Sequence, residues 1–225
     1  MTLTATGLGL TLTGSGGRPF EVLNIPTLTA EPGALTVLTG PSGSGKSTLL
    51  FALSGLQTLD RGTIRWGETE ITAMPEPARD RWRRGAVGLV FQSFHLIDEL
   101  SPLDNVLVPV WFGAFFAGPS RARAASLLEE LGVPGDRPRL RALSRGEQQR
   151  VALARALMFD PPIILADEPT ASLDRAAGAR VIDGFRKLAR DGRLVLAVSH
   201  DPDLIAAADH VLVLDHGQLV QGAPA

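Results

Sequence analysis

The chain has 225 residues, 44% of them hydrophobic, enough to bury a substantial core in one large domain or a core with a subdomain. A formal net charge of -2 gives no reason to expect a nucleic-acid surface. The absence of cysteine excludes a disulfide framework and a thiolate zinc site and is consistent with a reducing compartment.

No Lys or Arg precedes Arg18, so the charged start of a signal peptide is missing. Leu8, Leu10 and Leu12 alternate with small or polar residues, the period of a half-buried strand, and GSGGRP (14–19) breaks it as a turn. FEVLNIPTLT (20–29) reads as a second strand, EPG (31–33) as another turn, and ALTVL (34–38) as a buried strand. That strand runs into GPSGSGKST (40–48), and STLLFALSGL (47–56) continues as a helix. Residues 60–85 are polar, with RGTIRWGETEI (61–71) a hairpin or strand pair, and AVGLVFQ (86–92) is a further strand. Residues 93–160 read as mainly helical, with SRARAASLLEELG (120–132) amphipathic and EQQRVALARALMF (147–159) strongly helical. PPIILADEP (161–169) is a short apolar strand closed by carboxylates. RAAGARVIDGFRKLARDG (175–192) is a helix ending at Gly192, RLVLAVSH (193–200) a buried strand, and VLVLDHGQLVQG (211–222) a hairpin turning at DHG.

Strands alternating with helices imply a parallel α/β sheet with right-handed crossovers, and the central helical block suggests an inserted subdomain. The longest apolar run, VLVPVWFGAFFA (106–117), is interrupted by Pro109 and falls short of the ~20 residues a membrane-spanning helix needs. The expectation is a soluble, cytoplasmic chain whose membrane role, if it has one, comes through a partner.

Gly40 to Ser47 fits G-x-x-x-x-G-K-[ST], with a strand before it and a helix after it. Glycines let the backbone curl so that successive N–H groups face one anion, and the following helix directs about half a positive charge at the same point. In this reading Gly40, Pro41, Ser42, Gly43, Ser44 and Gly45 form the phosphate loop. Lys46 reaches the β- and γ-phosphates, the Ser47 hydroxyl holds Mg²⁺, and Thr48 adds a phosphate contact. At the end of IILADEP, Asp167 suits a direct or water-mediated Mg²⁺ contact, and Glu168 can orient and polarise an attacking water. The two asparagines, Asn24 and Asn105, do not precede a lysine, so the N-K-x-D guanine motif is absent.

The order GPSGSGKST, VFQ, LSRGEQQR, ILADEPT, SLD and SH resembles the ATPase subunits of ABC transporters over nearly the whole chain. The resemblance implies a P-loop NTPase with a RecA-like α/β core, an N-terminal antiparallel β subdomain and an inserted α-helical subdomain. It implies one ABC ATPase domain over residues 1–225, with 1–92 and 161–225 as core and β subdomain and 93–160 as the helical signature subdomain. It also implies a Mg²⁺-dependent ATPase, a head-to-tail homodimer sandwiching two ATP molecules, and a transmembrane permease subunit as partner. Gln92 then resembles the Q-loop residue that senses Mg²⁺ and the attacking water. Glu168 resembles the catalytic base, His200 the switch histidine, and Ser172, Leu173 and Asp174 the D-loop that crosses the dimer. LSRGEQQR takes the place of LSGGQ, so that Ser144, Arg145, Gly146 and Glu147 form the signature loop facing the other protomer's ATP. HLIDELSPLDNVLVPV (95–110) resembles the ATPases of lipoprotein-releasing and macrolide-exporting systems. The alternative is a soluble ABC ATPase acting on nucleic acid or ribosomes; the single unit and the lack of a broad basic excess weigh against it.

Two departures stand out. The chain has no tyrosine, Phe20 is the only aromatic residue before the phosphate loop, and the position expected to stack on adenine falls in the Thr13–Gly17 turn; this predicts weak base discrimination. Arg145 replaces the first glycine of the signature pair, as a solvent-facing bystander, a contact to the nucleotide of the other protomer, or a clasp across the dimer. RDRWRR (79–84) is a cationic run, either a solvated face or a contact to a membrane subunit or anionic headgroups. Trp111, Phe112, Phe115 and Phe116 are candidates for the interface that receives the permease.

Overall fold

In the computed structural model, which describes residues 1–14, 17–112, 121–134, 139–171 and 173–220, the N-terminal alternation becomes a long antiparallel ladder. β1 (Leu3–Thr13) pairs with β2 (Pro19–Ala30) on one edge and with β4 (Arg61–Trp66) on the other. β5 (Thr69–Glu70) joins β4 as the expected strand pair and completes a four-stranded antiparallel sheet. Register shifts interrupt β1, and Leu8 and Leu10 stay buried whereas Leu12 is exposed.

The second sheet has the order β10-β9-β3-β8-β7-β6. β3 (Leu35–Thr39), β6 (Val87–Val90), β7 (Ile163–Asp167), β8 (Leu194–Val198) and β9 (His210–Asp215) run parallel, and β10 (Gln218–Val220) pairs antiparallel at the edge. The β9–β10 turn is at DHG as the sequence indicates, with His216 and Gly217 both at positive φ. Parallel strands covered on both faces are nearly continuous apolar runs, and β7 and β8 are buried throughout. Their alternate residues divide between two clusters. Leu35, Val37, Ile164, Ala166, Val195 and Ala197 pack with the helical block and Phe185. Leu38, Ile163, Leu165, Leu194, Leu196 and Val198 pack with the first sheet and Leu49, Leu50 and Leu53 of α1 (Lys46–Leu53).

The helical block contributes α3 (Pro102–Trp111), α4 (Arg121–Glu130), a 3-10 turn at Leu140–Ala142 and α5 (Arg145–Ala156). α6 (Arg175–Arg190) links β7 to β8 and ends, as expected, at Gly192 with φ 88°. Two helices escape the sequence reading. α2 (Glu76–Ala86) lies in the stretch read as merely polar, and the short α7 (Pro202–Ala206) follows β8 under an Asp201 cap. In α2, Arg83 and Arg84 both bind Asp80, and Arg83 also donates to the Gly55 carbonyl, so much of the RDRWRR charge is satisfied within the chain. Among the described residues no helix is long and apolar enough to cross a membrane.

The parallel order places the carboxyl ends of β3, β7 and β8 side by side. In open α/β sheets that edge is where ligands bind. Each of the three strands ends in a segment singled out by the sequence: the phosphate loop, Asp167–Glu168 and His200.

Candidate active site

The loop from Gly40 to Gly45 leaves β3 and turns directly into α1. Gly40, Gly43 and Gly45 have φ of 144°, 78° and 99°, a region other residues rarely enter. A side chain at Gly40 would meet the Leu214 carbonyl oxygen at 2.0 Å, and one at Gly45 the Val22 oxygen at 2.7 Å, so packing as well as conformation demands glycine there. Gly45 caps α1 without any side-chain hydrogen bond, and the first turn carries no acidic residue. The N–H groups that begin α1 therefore remain open to an anion. Lys46 Nζ curls back over the loop and donates to the carbonyls of Gly40 at 2.9 Å and Pro41 at 2.8 Å.

Ser47, one residue into the helix, donates its hydroxyl to Asp167 Oδ1 at 3.0 Å. Asp167 is buried at the end of β7. Burial raises its pKa from the usual carboxylate value, and the neighbouring Glu168 adds to the rise; the Ser47 hydrogen bond and the Lys46 charge oppose it. A partly buried hydroxyl–carboxylate pair of this kind offers a hard divalent cation two protein oxygens and leaves its other positions to phosphate and water. The donor set thus fits Mg²⁺ bound together with a nucleotide.

Glu168 follows at once but points elsewhere. Its φ of 46° is left-handed, a conformation that costs a non-glycine residue about 1–2 kcal/mol and swings the side chain out of the strand direction. Its N–H is tied to the Val198 carbonyl at 2.9 Å. Its Oε1 lies 2.9 Å from Nδ1 of His200, which donates from the end of β8. The carboxylate is largely sheltered, with 14% side-chain exposure, whereas the histidine is 75% exposed.

These groups line one cleft of about 720 Å³, with Gly40, Ser42, Gly43, Gly45, Lys46, Ser47, Thr48, Gln92, Glu168 and His200 on its walls. Leu12, Phe20 and Val22 complete it at the far end. Phe20 sits in β2 directly across from Leu12, and both are about half exposed. The sequence reading left the base end in the Thr13–Gly17 turn; the cleft instead reaches the strands on either side of that turn. Leu12 and Val22 were missed, and the cross-strand register across GSGGRP is the signal that finds them.

Other expected residues stand apart from this cleft. Ser44 is buried, and Pro41 meets Lys46 only through its carbonyl. Ser144 caps α5, accepting from the N–H of Glu147 at 3.3 Å, while Glu147 Oε2 accepts from the Ser144 N–H at 2.7 Å and its hydroxyl at 2.8 Å. Gly146 packs so closely on α6 that an added Cβ would lie 2.7 Å from that of Ala177. Asp174 caps α6 through Ala177 N–H at 2.8 Å. Ser172, Phe115 and Phe116 lie outside the described residues, whereas Trp111 and Phe112 are 55% and 79% exposed.

The family model described as ABC transporter matches residues 23–171, from β2 through the phosphate loop and the signature helix to the residues just past Glu168. The chain belongs to the ABC transporter family. As an ATP-binding cassette it is 40% identical over 212 residues to an uncharacterised ABC transporter ATP-binding protein of Mycobacterium bovis, covering 93% of this chain and 64% of that one. It is also 40% identical to the macrolide export ATP-binding/permease protein MacB of Neisseria meningitidis, over 92% of this chain and 32% of MacB. The cassette thus spans less than two thirds of the length of these curated relatives. Among solved structures it is similar to a dimer of the ATP-binding cassette MJ0796 in a post-hydrolysis state bound to ADP and Pi, with a TM-score of 0.87, 31% identity and 97% of each chain covered. The α/β fold with its antiparallel N-terminal sheet agrees with that of the cassette structures, as the sequence led us to expect.

Proposed function

We propose that this cassette binds and hydrolyses ATP as a head-to-tail homodimer and drives a membrane-embedded permease, in a transporter of the exporter or lipoprotein-release type. The observation that carries the reading is the convergence, at one sheet edge, of an uncapped helix N-terminus with Lys46, the partly buried Ser47–Asp167 pair, and Glu168 held against His200. The phosphates lie along the Gly40–Gly45 loop, where α1 and Lys46 offset the negative charge that builds in the transition state. Ser47 and Asp167 would hold Mg²⁺, with Gln92 placed to sense it, and the ion would supply neutralisation of phosphate charge. Glu168 orients a water and takes up its proton, and His200 fixes the carboxylate rotamer while remaining at the cleft mouth. The adenine rests on Phe20 and Leu12.

Ser144, Gly146, Glu147 and Asp174 do not line the cleft of their own chain, which fits their service to the nucleotide of a second protomer. MacB, which joins cassette and permease in one polypeptide by its name, supports the export reading. The absence of a broad basic excess weighs against the nucleic-acid alternative.

The deciding experiment is Glu168→Gln. Steady-state ATP hydrolysis should fall at least a hundredfold, as expected for losing a general base, while ATP still binds and accumulates a dimer in size-exclusion chromatography. Retention of the wild-type rate would refute hydrolysis through Glu168.

A further inference from the structure

The segment after β6 makes a tight turn. Phe94 N–H donates to the Phe91 carbonyl at 3.0 Å and His95 N–H to the Ser93 carbonyl at 2.6 Å. Phe94 and His95 are consecutive residues at φ 59° and 47°, both left-handed and neither glycine. Such a pair persists only where its surroundings impose it. The edge of the His95 ring meets Phe91, with centroids 4.9 Å apart. Ser93 Oγ lies within hydrogen-bond distance of His95 Nε2, at 3.0 Å, and further restraints come from α5. Near its C-terminal end, Arg155 donates to the carbonyls of both Phe94 and His95. At its first residue, Arg145 places Cζ 5.4 Å from the centroid of the Phe94 ring, within reach of a cation–ring attraction. That ring is otherwise buried, with Phe94 only 4% exposed.

We propose that Arg145 is a positioning residue that latches the signature loop to the Gln92 turn through the face of Phe94. Gln92, two residues before Phe94, lines the cleft with Lys46, Ser47, Glu168 and His200. Ser144, immediately before Arg145, caps α5. The latch joins these two loops, so that displacement of one is felt by the other. Position 145 is helical and outside the left-handed region, so it has no need of glycine's freedom, and a glycine there would have nothing to reach the ring. The functional half of this inference rests on the ATPase reading above; the structural half does not.

The test uses the full-length protein and two independent readouts. In hydrogen exchange of the nucleotide-free protein, amides of segment 91–97 should exchange about two- to fivefold faster in Arg145→Gln than in wild type, whereas Arg145→Lys, which keeps the cation, should remain close to wild type. In steady-state ATPase assays Arg145→Gln and Phe94→Leu should each lower kcat about two- to fivefold and leave KM for ATP within about twofold. The double variant should be no slower than the slower single one, because both remove the same contact. Arg145 is exposed, so its substitution remains informative if Phe94→Leu disturbs packing. Unchanged exchange in Arg145→Gln overturns the latch whether or not the protein hydrolyses ATP. Faster exchange with unchanged kcat, or losses that multiply in the double variant, overturns the positioning role. A raised KM in Arg145→Gln alone would make Arg145 a nucleotide contact instead. A wild type that does not turn over ATP defeats the ATPase reading, and the exchange result then still decides the latch.

Discussion

Asp167 and Glu168 are chemically near-identical neighbours held in different environments. Asp167 ends a buried strand and meets Ser47, while the left-handed backbone at Glu168 turns the next carboxylate toward His200. The raised pKa of Asp167 means that the fold disfavours its charged form. Stability tied to this group is fully present below the unfolded carboxylate value and is lost as pH rises through the folded one. At neutral pH the nucleotide-free fold therefore bears a cost that a bound cation relieves. Asp167→Asn keeps a hydrogen-bond acceptor for Ser47 and removes the charge. It should raise the Tm of the nucleotide-free protein by about 2–4 °C, the shift that about 1 kcal/mol gives in a chain of this size. It should also abolish the further rise that Mg²⁺ and ATP produce in wild type. A lower Tm without ligand in differential scanning calorimetry would show that the carboxylate stabilises the empty site.

The elements carrying the chemistry were the most legible in the sequence, because strand, turn and helix each have a local cause there. ALTVL before GPSGSGKST, and IILAD before Glu168, are apolar runs that can only be buried strands in this setting, and both are. α5 was expected from Glu147 and begins at Arg145, under a capping box of Ser144 and Glu147. α2 was not legible: it is short, polar and Arg-rich, and its helix is held by docking Arg83 on the Gly55 carbonyl, a contact no local pattern contains. The base end was hidden for the same reason, since Leu12 and Phe20 become neighbours only through the β1–β2 register. In the proposed reading that hairpin offers adenine an apolar platform. Stacking is worth about 1–3 kcal/mol per base and tolerates any base. Phe20→Ala should therefore raise KM for ATP about five- to tenfold with little change in kcat, and wild type should hydrolyse GTP within about threefold of ATP. A strong preference for ATP in side-by-side kinetics would mean that another group reads the base edge.

At the scale of the whole molecule, the proposed function leaves the cleft of one chain incomplete. Lys46, Ser47, Glu168 and His200 gather on one wall, and Ser144, Arg145 and Asp174 lie outside it at the N-termini of α5 and α6. In the proposed head-to-tail dimer a second copy brings these two helix starts to the cleft. MJ0796, similar over 97% of each chain, is a dimeric cassette. Hydrolysis should then require association. For the chain on its own, ATPase rate per chain should rise with protein concentration and level off as the dimer saturates, the total rate being near second order in protein at the dilute end. Adding Glu168→Gln protein to wild type should alter the rate per wild-type chain through mixed dimers. A rate per chain that stays constant over a hundredfold dilution, while sedimentation reports monomer throughout, would place the complete site within one chain.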